Sequence, residues 1–245
     1  VKQIVGGSLR DQGDQARENF VSGQDAPFYA RFYQSYGLRG GHIILLNPES
    51  SPYYQETKRQ ALAALRAYPG GLQVGGGIRP ENAGEFLDAG ASHVIVTSYV
   101  FRDGALSWEN LENMIRSVGR ERMVLDLSCR KKDGVYWIVT DRWQKFTRVE
   151  VNRRTLDRLS GYCDEFLVHA VDVEGTASGI GTELAALLAG CENIPITYAG
   201  GVGSFRDLEN LREAGKTRLD VTGGSALDLY GGSMSFEQIL KFCKN

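Results

Sequence analysis

One stretch of this chain comes back half a chain later. Gly75-Gly-Gly-Ile-Arg79 leads into a helical stretch ending Asp88-Ala-Gly90, and then into Val94-Ile-Val-Thr-Ser98. The same order returns as Ala199-Gly-Gly-Val-Gly203, a stretch ending Glu213-Ala-Gly215, and Leu219-Asp-Val-Thr-Gly223. Gly77 matches Gly201, Gly90 matches Gly215 and Thr97 matches Thr222, with one residue inserted between glycine motif and helix. Repeated strand–helix units with right-handed crossovers leave two main architectures, an open doubly wound sheet or a closed barrel. Two like halves favour the barrel.

The apolar pattern agrees with that choice. Short runs occur at His42-Ile-Ile-Leu-Leu46, Leu72-Gln-Val74, Val94-Ile-Val96, Met123-Val-Leu125, Phe166-Leu-Val168, Ile194-Pro-Ile-Thr-Tyr198 and Leu219-Asp-Val221. Near-continuous apolarity over so few residues suits parallel strands buried on both faces. Between them lie helices: one opened by Pro80, one over Ser107 to Val118, one over Ser204 to Ala214. Gly90, Gly119 and Gly215 stand where helices end. Seven core strands result. Val1-Lys-Gln-Ile-Val5, followed by Gly6-Gly7, comes too early to have a helix before it and reads as a hairpin strand in a βα loop. The expectation is an α/β fold, a (β/α)8 barrel built from two half-barrels, as one domain over residues 1–245 with the first strand missing at the N-terminus. Such barrels routinely use about 250 residues as a single domain.

A net charge of −2 gives no electrostatic footprint for nucleic acid. No apolar run approaches the roughly 20 residues needed to span a bilayer, and no secretory signal opens the chain. Cys129, Cys163, Cys191 and Cys243 show neither close pairing nor metal-ligand spacing, which suits reduced thiols and no metal. A cytoplasmic location is expected, or a plastid stroma if a transit peptide was removed.

Gly75, Gly76 and Gly77 follow a strand and precede a helix. Glycine lets backbone N–H groups approach an anion closely, and the helix N-terminus adds a favourable dipole. Gly200 and Gly201, and Gly223, Gly224 and Ser225 after the last strand, repeat this arrangement. Barrel loops after strands seven and eight commonly hold phosphate. The repeat supplies a second cradle from Gly76, Gly77, Thr97 and Ser98. Each glycine could also merely serve a tight turn; two matching clusters argue for an elongated substrate with a phosphate at each end. A Walker-A motif and a full GxGxxG are both absent, so a nucleotide site has little support.

Asp126 ends its strand at the catalytic face, where partial burial can tune a carboxyl for acid–base work. The alternatives are capping the next turn or pairing with Arg130. His169 ends another strand and could polarise a substrate oxygen or be hydrogen-bonded in its loop. His42 and His93 begin their strands and read as structural. Asp172 and Glu174 lie in the loop after His169, as solvated or capping acids or as substrate contacts. Trp143 comes after Lys131-Lys132-Asp133-Gly134, a hairpin turn, and could cover an aromatic ring of the substrate. Trp137, in Tyr136-Trp-Ile-Val139, reads as packing.

Together, Val1-Lys-Gln-Ile-Val-Gly-Gly7, Gln73-Val-Gly-Gly-Gly-Ile78, Val94-Ile-Val-Thr-Ser98, Asp126-Leu-Ser-Cys-Arg-Lys131, Asp141-Arg-Trp-Gln144, His169-Ala-Val-Asp-Val-Glu-Gly175, Tyr198-Ala-Gly-Gly201 and Gly224-Ser-Ala-Leu-Asp228 form one pattern. It resembles the eukaryotic-type, plant-like phosphoribosylformimino-aminoimidazole carboxamide ribotide isomerases of histidine biosynthesis, over almost the whole chain. The resemblance implies a cofactor-free Amadori rearrangement by a monomer acting on a small bisphosphorylated substrate. An aminoaldose becomes an aminoketose through one acid and one base. It implies Asp126 as the acid, His169 at a strand-six position and Trp143 stacked on the substrate. The family's other aspartate, on strand one, would precede Val1; a chain beginning at Val1 would lack that base, and an upstream strand ending in aspartate is expected. Two alternatives stand beside this one. The related cyclase of the same pathway shares the barrel and both cradles but needs a glutaminase partner to supply ammonia. The other is a non-catalytic bisphosphate-binding barrel.

Overall fold

The computed structural model describes residues 2–4, 18–141, 143–174 and 179–244, in two compact units. The first holds residues 23–126 and 159–166; the second holds the described residues of 2–22, 127–158 and 167–244. Strand β1 (Lys2–Ile4) pairs antiparallel with β2 (Glu18–Val21), Lys2 opposite Val21, within the second unit. Val1, Val5, Gly6 and Gly7 of the expected hairpin lie outside the described residues.

In the first unit, α1 (Ala26–Ser35) starts where Asp25 accepts the N–H of Phe28 at 2.9 Å, with Pro27 in the first turn where its missing N–H costs nothing. There follow β3 (Gly41–Ile44), α2 (Tyr54–Ala67), β4 (Leu72–Gly75), α3 (Pro80–Asp88) and β5 (His93–Val96). A small antiparallel pair, β6 (Phe101–Arg102) and β7 (Ala105–Leu106), precedes α4 (Trp108–Val118) and β8 (Met123–Asp126). β3, β4, β5 and β8 lie side by side and parallel, with His42 beside Gln73, Gln73 beside His93 and Val94 beside Met123. Val74, Val94, Ile95, Val96, Met123, Val124 and Leu125 are all buried, so consecutive residues are covered on both faces. The outer layer contributes Leu65 of α2 and Phe86 of α3, both fully buried; each such side chain contributes roughly 1.5–3 kcal/mol. Buried Gln73 donates to Glu165 at 2.6 Å.

The second unit begins with a sheet of another kind. β9 (Cys129–Lys132), β10 (Val135–Thr140) and β11 (Lys145–Glu150) form an antiparallel flap in the order β11-β10-β9. Asp133 and Gly134 turn it with φ of 53° and 80°, the left-handed pair that a two-residue hairpin loop requires. Helix α5 (Arg153–Leu159) leads to β12 (Glu165–His169), which starts in the first unit and ends in the second. Then come α6 (Thr182–Leu188), β13 (Ile196–Ala199), α7 (Phe205–Ala214), β14 (Leu219–Thr222) and α8 (Phe236–Lys244). The strand expected from Ile194 starts two residues later, since Pro195 has no N–H to give a ladder. Under α7 and α8, Leu208, Ala226 and Met234 form a core that Phe205 and Phe242 cover.

Hydrogen-bonded neighbours run β3-β4-β5-β8-β12-β13-β14. A doubly wound sheet reverses its strand order at a switch point; here the parallel strands keep chain order throughout, as in a (β/α)8 fold. All seven expected core strands are present.

Candidate functional site

The first unit's site grows from the ends of β4, β5 and β8. After β4, Gly76 has φ of 101°, and a Cβ there would lie 2.1 Å from the carbonyl oxygen of Leu45. No side chain fits, so the backbone runs close to β3, tied by the Leu45 N–H donating to Gly75 at 2.9 Å. Asn82 fixes the turn into the helix: its amide donates to the Gly77 carbonyl at 3.0 Å and its oxygen accepts the Arg79 N–H at 2.9 Å. Held on both sides by this one side chain, the turn passes into α3 at Pro80. The guanidinium of Arg79 turns to Glu49 at 2.8 Å and holds that carboxyl below its usual range. At the end of β5, the Thr97 hydroxyl donates to Asp126 at 3.2 Å. Both are half-buried and Ser98 is exposed. Asn110 of α4 supports this loop by donating to the Tyr99 carbonyl at 2.7 Å.

The second unit repeats the backbone device. Gly200 has φ of 114°, and its Cβ would stand 3.0 Å from the Ala170 carbonyl oxygen and 2.9 Å from a Glu174 carboxylate oxygen. Ala170 N–H donates to Ala199 at 2.8 Å, the counterpart of Leu45 to Gly75. Ser204 caps α7 and accepts the Asp207 N–H at 3.2 Å; Asp207 in turn accepts the Gly203 N–H at 3.0 Å and the Ser204 hydroxyl at 2.8 Å. Beyond the glycines the two turns differ. Among the described residues nothing lies within 4 Å of a Cβ placed on Gly77, whereas on Gly201 it would meet the Gly179 carbonyl oxygen at 2.1 Å. After β14, Gly223 is exposed and the Gly224 carbonyl accepts the Leu227 N–H at 2.9 Å. Ser225 lies in a turn, and a 3-10 helix over Asp228–Tyr230 comes next, with α8 starting only at Phe236.

His169 ends β12 half-buried, and the hydroxyl of fully buried Ser128 lies 3.0 Å from its Nδ1. The Trp143 ring is 5.3 Å from the imidazole, tilted by 46°. Trp143 has φ of 67°, a conformation a bulky side chain adopts only at a cost, so the flap tip is held under strain. The Lys145–Asp141 pair at 2.8 Å closes the tip. Ser128 carries no signal in the sequence beyond its place two residues past Asp126.

Three expected acid contacts resolve differently. Arg130, a candidate partner for Asp126, donates to Asp172 at 2.9 Å. Asp172 also accepts the Lys131 N–H at 2.8 Å, a capping contact made by a side chain that stays partly exposed. A Glu174 carboxylate oxygen is buried with no hydrogen-bond partner among the described residues. His93 serves structure, 3.1 Å from Asp164. Among the described residues no three His, Cys, Asp or Glu side chains gather as a metal site, and no helix is long and apolar enough to cross a membrane.

The family described as histidine biosynthesis protein matches residues 5–235. A chloroplastic imidazole-4-carboxamide isomerase of Medicago truncatula is 51% identical over 244 residues, covering 98% of this chain and 77% of that protein. An isomerase of the same name from Neurospora crassa is 42% identical over 235 residues, covering 95% and 89%. That of Saccharomyces cerevisiae is 40% identical over 241 residues, covering 96% and 89%.

Proposed function

The chain belongs to the histidine biosynthesis protein family, and we propose that it catalyses the isomerisation for which its relatives are named. In this reading a bisphosphorylated aminoaldose is rearranged to the aminoketose by proton transfers alone. An acid protonates the ribose ring oxygen, the C1–O bond breaks and a Schiff base forms. A base then takes the C2 proton, and the enol so formed settles as the ketone.

The observation that carries the proposal is the Thr97–Asp126 pair at the carboxyl ends of β5 and β8. Active sites of (β/α)8 enzymes are built at that end of the strands. The Thr97 hydroxyl orients the half-buried Asp126 carboxyl, and a general acid has to be held in position to deliver its proton. Asp126 is assigned that role. Gly76, Gly77, Thr97 and Ser98 are assigned one phosphate; Gly200, Gly201, Gly223, Gly224 and Ser225 are assigned the other. His169 polarises a substrate oxygen, its orientation set by Ser128, and Trp143 stacks on the aromatic ring of the substrate. The strained φ of Trp143 supports a functional placement, since strain of this kind collects at ligand-binding positions. The protein works as a single-domain monomer without cofactor or nucleic acid, in the cytosol or, as for its chloroplastic relative, in a plastid.

The test uses the full natural protein and the aminoaldose with no ammonia source. Product formation is expected, which separates the isomerase from the ammonia-dependent cyclase. Asp126→Asn is expected to abolish turnover while calorimetry still detects substrate binding. Near-wild-type kcat in that variant would remove Asp126 from the mechanism.

A further inference from the structure

Resting on the isomerase reading, we propose that Arg130 is a positioning residue that clips the β9–β11 flap, and with it Trp143, to the loop after His169. Arg130 leaves β9 opposite Trp137 and reaches two places at once. Its Nε donates to Asp172 at 2.9 Å, and its guanidinium carbon lies 5.6 Å from the centre of the Phe146 ring. Asp172 stands three residues beyond His169, and Phe146 three residues beyond Trp143. One side chain therefore joins the two segments that carry the paired rings.

The neighbouring contacts reinforce the clip. The second Asp172 oxygen accepts the Lys131 N–H at 2.8 Å, so this carboxylate holds β9 through both oxygens. Val171 N–H donates to the Cys129 carbonyl at 3.1 Å. Lys132 approaches the same Phe146 ring, at 5.7 Å. The side chains of Arg130 and Asp172 are 42% and 41% exposed, and ion pairs so open to solvent contribute little to global stability. Their effect is local. A strained Trp143 has to be held in place by its surroundings, and Arg130 touches both the segment that follows Trp143 and the segment that follows His169. Arginine suits the task because its planar guanidinium can donate to a carboxylate along its edge and stack on a ring with its face; lysine offers a point charge.

Two measurements on the full-length protein test this. In the first, hydrogen exchange in the free protein is compared before and after Arg130→Ala. Faster exchange is expected in residues 143–147 and 169–172 with none in β13 and β14; unchanged exchange in those segments would overturn the proposal whatever the reaction. In the second, a kinetic cycle combines Arg130→Ala with Trp143→Ala. Arg130→Ala alone is expected to lower kcat/KM about tenfold, the size of one lost aromatic contact, with an unchanged melting temperature, and Arg130→Lys should not rescue it. In the Trp143→Ala background the same change should have no further effect. Equal losses in both backgrounds would refute action through Trp143. A wild-type protein that turns nothing over would instead count against the isomerase reading, and the exchange result would still decide the clip.

Discussion

Tyr198 sits in the middle of β13 with its side chain fully buried, and its hydroxyl accepts the N–H of Gly181, the residue before α6, at 2.8 Å. Tyr198→Phe removes that single oxygen. The cavity is small, so the cost comes from an N–H left without a partner, about 1–3 kcal/mol, with the lower half favoured because Gly181 is only half-buried. Burial also pushes the Tyr198 hydroxyl up to about 12, from an ordinary value of 10.0. In the unfolded chain this phenol ionises near pH 10, in the folded chain only near pH 12. The unfolded state thus holds fewer protons across that window, and stability must fall as pH rises through it. Two pKa units at 1.36 kcal/mol each make the full loss about 2.7 kcal/mol. Phenylalanine cannot ionise, and the remaining tyrosines are common to both proteins. Urea unfolding between pH 8 and pH 11.5 should therefore show wild type ahead by about 1–2 kcal/mol at the low end, with the gap closing or reversing at the high end. A gap that stays constant with pH would refute the assignment of the alkaline loss to this buried hydroxyl.

Burial and backbone geometry set two more outcomes. Gly76→Ala forces a side chain into a left-handed position and onto a backbone carbonyl, and should cost about 2–5 kcal/mol; Gly77→Ala, with open space, should cost only about 1–2 kcal/mol, as thermal melts would show. Cys129, Cys163 and Cys191 are buried, and burial pushes the Cys163 thiol up to about 12, so native protein at pH 8 should be alkylated at exposed Cys243 alone while urea-unfolded protein reacts at all four cysteines, counted by mass spectrometry.

The backbone features of the candidate site are legible in the sequence. Gly76 and Gly200 are glycine because a carbonyl occupies the place of a side chain, and a conformational demand of that kind leaves its mark on residue identity at one position. The caps at Ser107 and Ser204, the Pro80 start and the Asp133-Gly134 turn are local in the same sense. What stayed hidden was which side chains meet across long separations. Ser128 reaches His169 and Arg130 reaches Asp172 over about forty residues each, and Gln73 reaches Glu165 over more than ninety. Reading Arg130 as a neighbour of Asp126 treats the chain as local, whereas β9 turns away into an antiparallel flap. The turn after β14 is also less simple than its glycines suggest, since a 3-10 helix stands between Ser225 and α8.

The duplicated glycine turns have a consequence for orientation. Gly76 and Gly200 meet the carbonyl before them alike, whereas Gly77 stands open and Gly201 is crowded by the Gly179 carbonyl. Under the proposed reading, a preference for one phosphate end over the other has to arise at positions where the two turns part. The second glycine of each turn, and not the first, is therefore where the two copies have drifted apart.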